Sequence, residues 1–223
     1  MEVSVHAFEA NGQEHYSAPV SYTMQEYIID ELLKADNSVA MRALAADLLN
    51  YGAAAQVYFE YDVEHPVNEN LSTEAQAAME QFASTGEAPA DLVNGSNGPN
   101  VYGSVSVKNR IVLSMTVRSM SSFETMKVRI KNHEDGSVKD TIDAKKRGSV
   151  WVADYDGFEA EDMRTLYDFV PVADGEETGT PLTWSVEGYA REARLNPDAT
   201  SAELNLFNAL LHYVDAVKAA FPS

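Results

Sequence analysis

Residues 19–59 read PVSYTMQEYIIDELLKADNSVAMRALAADLLNYGAAAQVYF, and residues 181–221 read PLTWSVEGYAREARLNPDATSAELNLFNALLHYVDAVKAAF. The two segments align at an offset of 162 with no gap, and at least ten of the 41 positions are identical, among them Pro19/Pro181, Tyr27/Tyr189, Leu44/Leu206, Leu48/Leu210, Tyr51/Tyr213 and Phe59/Phe221. Ordinary composition gives roughly two or three such matches by chance. The spacing therefore reads as an internal repeat, 19–59 and 181–221.

Each copy opens with a helix start. Thr23 followed by Glu26 makes a capping box, and Tyr22 with Tyr27 a hydrophobic staple. The second copy keeps the staple as Trp184 and Tyr189 with Ser185 as cap, but Gly188 stands where the box needs a glutamate. Both copies break, at 35–38 and at 196–201, and Thr200 with Glu203 opens the next helix. Leu44, Leu48, Tyr51, Gly52, Ala55 and Phe59 follow helical spacing, as do Leu206, Leu210, Tyr213, Val214, Val217 and Phe221. Each copy thus reads as a helical hairpin with one apolar face. Gly52 costs a helix roughly 1 kcal/mol against alanine, so it is expected at a close helix contact, where a neighbour supplies the missing bulk.

Upstream of each copy lies a strand, a tight turn and a second strand: 3–22 around Asn11-Gly12 and 166–184 around Asp174-Gly175. Between the copies, 60–71 is an acidic loop, 72–84 a short helix, and 85–100 a Gly-, Pro- and Asn-rich linker. Dense alternation then runs from 101 to 155, with a turn at His133-Glu134-Asp135-Gly136 and a crossover at 157–163. With the hairpin at 166–184 this makes seven short strands, the pattern of a β-sandwich. The predicted fold is α+β: a seven-stranded, immunoglobulin- or fibronectin-like sandwich plus helical hairpins. The predicted layout is a partial repeat unit at 1–84, a linker at 85–100, and a sandwich followed by a helical hairpin at 101–223.

Among the 223 residues 45% are hydrophobic and 9% aromatic, which excludes wholesale disorder. No apolar run reaches the roughly 20 residues of a transmembrane helix, so membrane insertion is not expected. The opening MEVSVHAFEA has neither a basic nor an apolar leader region and starts directly on a strand pattern, as a piece of a longer protein does. There is no cysteine, hence no thiol nucleophile, thiolate site or disulfide.

The net charge of −19 is uneven. Residues 1–100 carry 2 Lys/Arg against 16 Asp/Glu, 101–150 carry 10 against 5, and 151–223 carry 4 against 14. The acidic total argues against nucleic acid and against anionic membrane surfaces as partners. The basic middle suits a solvated face, or docking on the acidic parts or on a neighbouring copy.

Catalytic patterns are thin. The histidines (6, 15, 65, 133 and 212) show no metal-ligand spacing, and neither a nucleophile elbow nor a phosphate loop occurs. In 154–162, DYDGFEAED, the glycine and the closing ligand fall at the wrong positions for an EF-hand. No metal and no cofactor is predicted. In GSVWVADY, Trp151 and Tyr155 share one strand face and Val150 and Val152 the other. With the valines taken as core, Trp151 and Tyr155 become the candidate ligand-binding residues, an aromatic platform for a sugar ring or a partner protein. The alternative makes them a second core layer.

LLNYGAAAQVYFEY, YTMQEY, GFEAEDM and SVSVKNRIVL together resemble a repeat module of large surface or secreted proteins of Gram-positive gut anaerobes. In that group a helix pair with a similar YGAAAQ phrase closes a β-rich unit. The second copy departs from the phrase with HYVDAVKAAF. The resemblance implies an exported, modular, surface-anchored setting and carries no catalytic or binding residue.

The expected function is a non-catalytic extracellular structural, adhesion or binding module. Its expected partners are a protein or glycan at the cell surface and neighbouring repeat units. One alternative is carbohydrate binding through Trp151 and Tyr155. Another is an acidic hydrolase using carboxylates of 154–162, which needs two carboxyl groups facing across a cleft about 5–10 Å apart.

Overall fold

A computed structural model describes residues 2–3, 6–8, 14–16, 20–21, 23–98, 100–107, 110–118 and 123–222, with backbone pairing alone before Thr23. The chain is α+β and divides into two units, Met1–Gly86 with Ala219–Ser223, and Glu87–Lys218.

In the first unit, β1 (Glu2–Val3) pairs with β4 (Val20–Ser21), and β2 (His6–Phe8) with β3 (Glu14–Tyr16), all antiparallel. The Asn11-Gly12 turn, Pro19 and the Tyr22 half of the staple lie outside the described residues. Helix α1 (Met24–Tyr27) starts on the predicted capping box: the Glu26 N–H donates to Thr23 Oγ1 at 3.1 Å and the Thr23 N–H to Glu26 Oε2 at 2.8 Å. The helix then widens into a π-turn over Ile28–Leu32. Asn37 Nδ2 closes this end by donating to the Glu31 and Leu32 carbonyls. Ser38 caps α2 (Val39–Phe59), and Ser72 caps α3 (Thr73–Phe82).

The core joins Ile28 and Leu33 to Ala45, Ala46 and Leu49 of α2 and to Ala75, Ala78 and Met79 of α3. The buried face of α2 is turned in part from the one expected: Leu44 is inside as expected, but Leu48, Tyr51, Ala55 and Phe59 are half-buried, while Ala45, Ala46, Leu49 and Ala53 are inside. Small side chains here admit α3 closely. The Asp47 carboxylate accepts from the Ser84 N–H and hydroxyl, tying α2 to the residues just after α3.

Gly52 meets a loop, not a helix. A Cβ on Gly52 would stand 2.8 Å from Val67 Cγ2. The loop that follows α2 folds back over it and is held by buried Gln56. Gln56 Nε2 donates to the Asp62 and His65 carbonyls, and Gln56 Oε1 accepts from the Val67 N–H at 2.8 Å. Asn68 bonds Asn50 in the same return. The small-residue phrase is thus a cradle for its own loop. At the 162-residue offset, Val214 and Lys218 stand opposite Gly52 and Gln56.

The second unit holds two antiparallel sheets. One runs β5 (Val101–Val107), β6 (Ile111–Arg118), β10 (Val150–Tyr155), β9 (Lys145–Arg147). The other runs β12 (Glu176–Glu177), β11 (Tyr167–Ala173), β7 (Met126–Asn132), β8 (Val138–Asp143), with β13 (Leu182–Trp184) also paired to β11. The arrangement is sandwich-like, with strands in sheets of four and five rather than the seven expected; the short β9 and β12 are the additions. Leu113, Met115 and Val117 of the first sheet and Val128, Ile130 and Phe169 of the second are all buried. The turn at Asp174-Gly175 has φ of 49° and 94°, the left-handed pair that a two-residue hairpin requires.

After β13 come α4 (Val186–Leu195), capped by Ser185, and α5 (Ser201–Ala220), where the Glu203 N–H bonds Thr200 Oγ1. Strand, helix and helix follow one another here as they do at 20–59. Trp184 and Tyr189, on either side of the Ser185 cap, lie with ring centroids 6.3 Å apart, as a hydrophobic staple requires. The expected linker is not free chain. The Ala88 N–H donates to Asn208 Oδ1, the Asp91 and Leu92 N–H groups to Glu187 Oε1, and the Gly95 N–H to the Thr183 carbonyl. Residues 87–98 are a strap bonded to α4, α5 and β13.

Candidate functional site

Trp151 and Tyr155 are interior residues, 8% and 4% exposed. This corrects the phase expected for β10: Trp151, Ala153 and Tyr155 face the core, and Val150 and Val152 lie on the outer, half-buried face. Both faces of the strand are apolar, so period-2 alternation does not tell them apart. Burying the rings removes far more area from water than burying the valines. Tyr155 packs edge-on against Phe158 and Phe169 at 4.9 and 5.8 Å. Phe158 continues to Trp184, and Tyr189 to Phe207, so the ring cluster runs from the sheets into both helices. Tyr155 donates its hydroxyl to the Gly157 carbonyl, and burial pushes its phenol up to about 12. Buried rings offer no platform to a sugar.

The carboxylates of 154–162 are engaged separately. Asp154 accepts from Ser114 Oγ at 2.6 Å, and Asp156 from Arg110 at 2.9 Å. Asp162 is buried: Oδ2 lies 2.6 Å from Lys139 Nζ, and Oδ1 accepts from the Tyr167 hydroxyl at 2.5 Å. Burial alone would raise this carboxyl, but the Lys139 and Tyr167 hydrogen bonds outweigh it and hold Asp162 below the usual range.

A second buried carboxylate lies in α4. Glu187 Oε2 meets Arg164 Nη1 at 2.9 Å, while Oε1 holds the strap. Arg164 also donates to the Pro89 carbonyl and to Asp215 of α5. Burial raises the Glu187 carboxyl; the Leu92 N–H, Arg164 and the Asp91 N–H lower it by more, and the net shift is downward. No sequence pattern announces this cluster, because its members come from four separate segments.

The basic middle of the chain resolves into a surface. Val150 pairs with Arg118 on one side and Arg147 on the other; Val152 pairs with Thr116 and Lys145, and Thr116 in turn with Tyr102. Cross-strand partners share a face, so Tyr102, Arg118, Lys145 and Arg147 stand together on the outer side of the first sheet. Neighbouring strands are about 4.8 Å apart, which sets Arg118 and Arg147 roughly 10 Å from each other. The Arg118 guanidinium lies 5.2 Å over the Tyr102 ring. Lys146 points the other way, its ammonium 5.5 Å over the Trp151 ring. Lys127, Arg129, Lys131 and Lys139, on the other sheet, are each paired with a carboxylate. Among the described residues Arg118, Lys145 and Arg147 form no ion pair, and Asp154, bonded to Ser114, is the nearest carboxylate along that face of β10.

The first unit shows the opposite character. An open hollow of about 710 Å³ is lined by Asp30, Glu31, Lys34, Asp36, Ser72 and Glu74. Lys34 pairs with Glu31 at 3.0 Å, which leaves the hollow with a surplus of carboxylates.

No family model, curated protein or solved structure matches this chain.

Proposed function

We propose that the chain is a non-catalytic module of a bacterial surface or secreted protein, with a structural, adhesive or binding role. The observation that carries this reading is the Arg164–Glu187 clamp. One buried ion pair binds the strap, the crossover after β10, α4 and α5. Asp162 similarly joins Lys139 and Tyr167 of the second sheet. Buried charge here serves cohesion between segments, which suits a unit that transmits load or holds a surface rigid. The sequence resemblance to modules of Gram-positive gut anaerobes points to the same setting.

The finer fold reading belongs to this proposal. Lettered in chain order from β5, with β8 as C′ and β12 left out, the sheets run A-B-E-D and C′-C-F-G. We read this order as the immunoglobulin and fibronectin arrangement with one strand added beside C. Tyr167 at the start of the F strand, bonded back to Asp162, corresponds to the tyrosine corner of such sandwiches, with a side chain in place of the backbone acceptor. We read 19–59 and 181–221 as duplicated units from their gapless 162-residue offset and shared succession of strand and helices.

Pulling the full chain by its ends tests the proposal. Residues 87–218 are expected to release in one event of about 470 Å contour length. Peeling of α4 and α5 from the sheets in a separate, earlier event, or turnover of any substrate in a hydrolase panel, would defeat it.

A further inference from the structure

We propose that the outer face carrying Arg118, Lys145 and Arg147 docks on the acidic helical unit of a second copy of this chain. The inference rests on the reading of the chain as a module, and it names the partner. Cations on an open sheet edge commonly guard against strand addition, and that accounts for Lys145 and Arg147 on β9. It does not account for Arg118, which stands on the interior strand β6 and lies over Tyr102. Three cations gathered on one face, with no ion pair among the described residues, repel one another and are stabilised by an anionic partner.

The chain itself supplies that partner's chemistry. Residues 23–86 carry 11 Asp/Glu against 2 Lys/Arg, and Asp30, Asp36 and Glu74 converge on the open hollow. The cationic face and the acidic hollow are different surfaces, so their contact between copies is heterologous. Repetition of such a contact gives an open, head-to-tail array, as suits a modular surface protein. The contact is made by exposed charges and is weak and strongly screened: the Debye length falls from about 30 Å at 0.01 M salt to about 3 Å at 1 M.

Sedimentation equilibrium of the full chain tests this. The weight-average mass is expected to rise above 24.5 kDa with concentration at low salt and to return to it at about 0.5 M salt. The variant R118E/K145E/R147E and, separately, the variant D30K/D36K/E74K should each stay monomeric at low salt. An equimolar mixture of the two should associate again, because every docking pair then has opposite charge. That recovery also shows both variants to be folded. A wild-type chain monomeric at every salt concentration overturns the proposal, and so does association that the reversed variants retain or that their mixture fails to restore. Binding of a polyanionic glycan by a chain that stays monomeric overturns it in favour of that ligand. These outcomes leave the single unfolding event of residues 87–218 untouched, so the docking and the module reading fail independently.

Discussion

Asn94 Oδ1 accepts the backbone N–H of Ser185 at 2.8 Å, the bond that Glu26 makes to Thr23 in the first unit. The second unit has no glutamate at the third helical position, because Gly188 stands there. An asparagine 91 residues upstream fills the role. The glycine makes this possible, since a Cβ at 188 would overlap the Asn94 amide. The capping box has been divided between the helix and the strap, and the strap is fixed by the same bond.

Asn94→Ala is therefore expected to cost about 1–2 kcal/mol, the worth of a helix cap, measured by urea unfolding. Gly188→Glu alone should cost more, because it displaces the strap. The double variant should be more stable than the sum of the two, since the new glutamate completes the box in the space that Asn94 leaves. Additive losses would show that Asn94 and Gly188 are not coupled.

Gly52 and Val67 allow a second cycle. Alanine in a helix interior is favoured over glycine by about 1 kcal/mol. Here the added methyl meets Val67 Cγ2, and Val67 is held by Gln56 through its backbone. Gly52→Ala is expected to destabilise the first unit despite its better propensity. In a Val67→Ala background the same change is expected to stabilise it. Hydrogen exchange at the Val67 amide should quicken in Gly52→Ala and quicken further in Gln56→Ala. A stabilising Gly52→Ala in the native background would count against the cradle.

Breaking the Arg164–Glu187 pair should be costly. Glu187→Ala leaves a buried guanidinium with one carboxylate fewer and two strap N–H groups without an acceptor. We expect a loss of about 3 kcal/mol. The pair also sets an acid limit. Glu187 and Asp162 both titrate below their ordinary 4.5 and 3.8, so the stability they contribute is complete above about pH 4.5. It is lost as pH falls through their lowered values in the folded state. The midpoint of acid unfolding should move to higher pH in Glu187→Gln; an unchanged midpoint would remove Glu187 from the acid-sensitive set.

Legibility in the sequence followed locality. The Thr23–Glu26 box, the break at 35–38, the short helix within 72–84 and the Asp174-Gly175 turn depend on residues within a few positions of one another, and they formed as read. The succession of strand and two helices at the 162-residue offset was readable for the same reason. The strap was not, because its Gly-, Pro- and Asn-rich composition says that regular structure is absent. Its bonds come from Glu187, Asn208 and Thr183, far along the chain. The faces of β10 were misassigned because valines on one side and rings on the other both satisfy an apolar pattern. The cationic face was visible as a charge surplus over 101–150, but only the structure divided it into paired cations on one sheet and, on the other, cations with no ion pair among the described residues.

The buried phenols set the alkaline limit. Tyr155 is raised to about 12 by burial and then by the nearby Asp162 charge, and Tyr167 is raised further by burial and by its bond to Asp162. Both ionise near 10 once unfolded, so the folded chain binds their protons more tightly than the unfolded one does. Their contribution to stability is complete below about pH 10 and disappears as pH rises through their folded values. An ultraviolet phenolate titration should show exposed tyrosines ionising first and these two, together with Tyr213, which burial also raises, in a late step that coincides with loss of near-ultraviolet circular dichroism. Asp162→Asn removes the charge that raises both phenols but leaves them buried. The late step should then shift to lower pH without merging with the exposed class. If Tyr155 and Tyr167 titrate with the exposed tyrosines in the native chain, the interior position of the β10 rings is wrong.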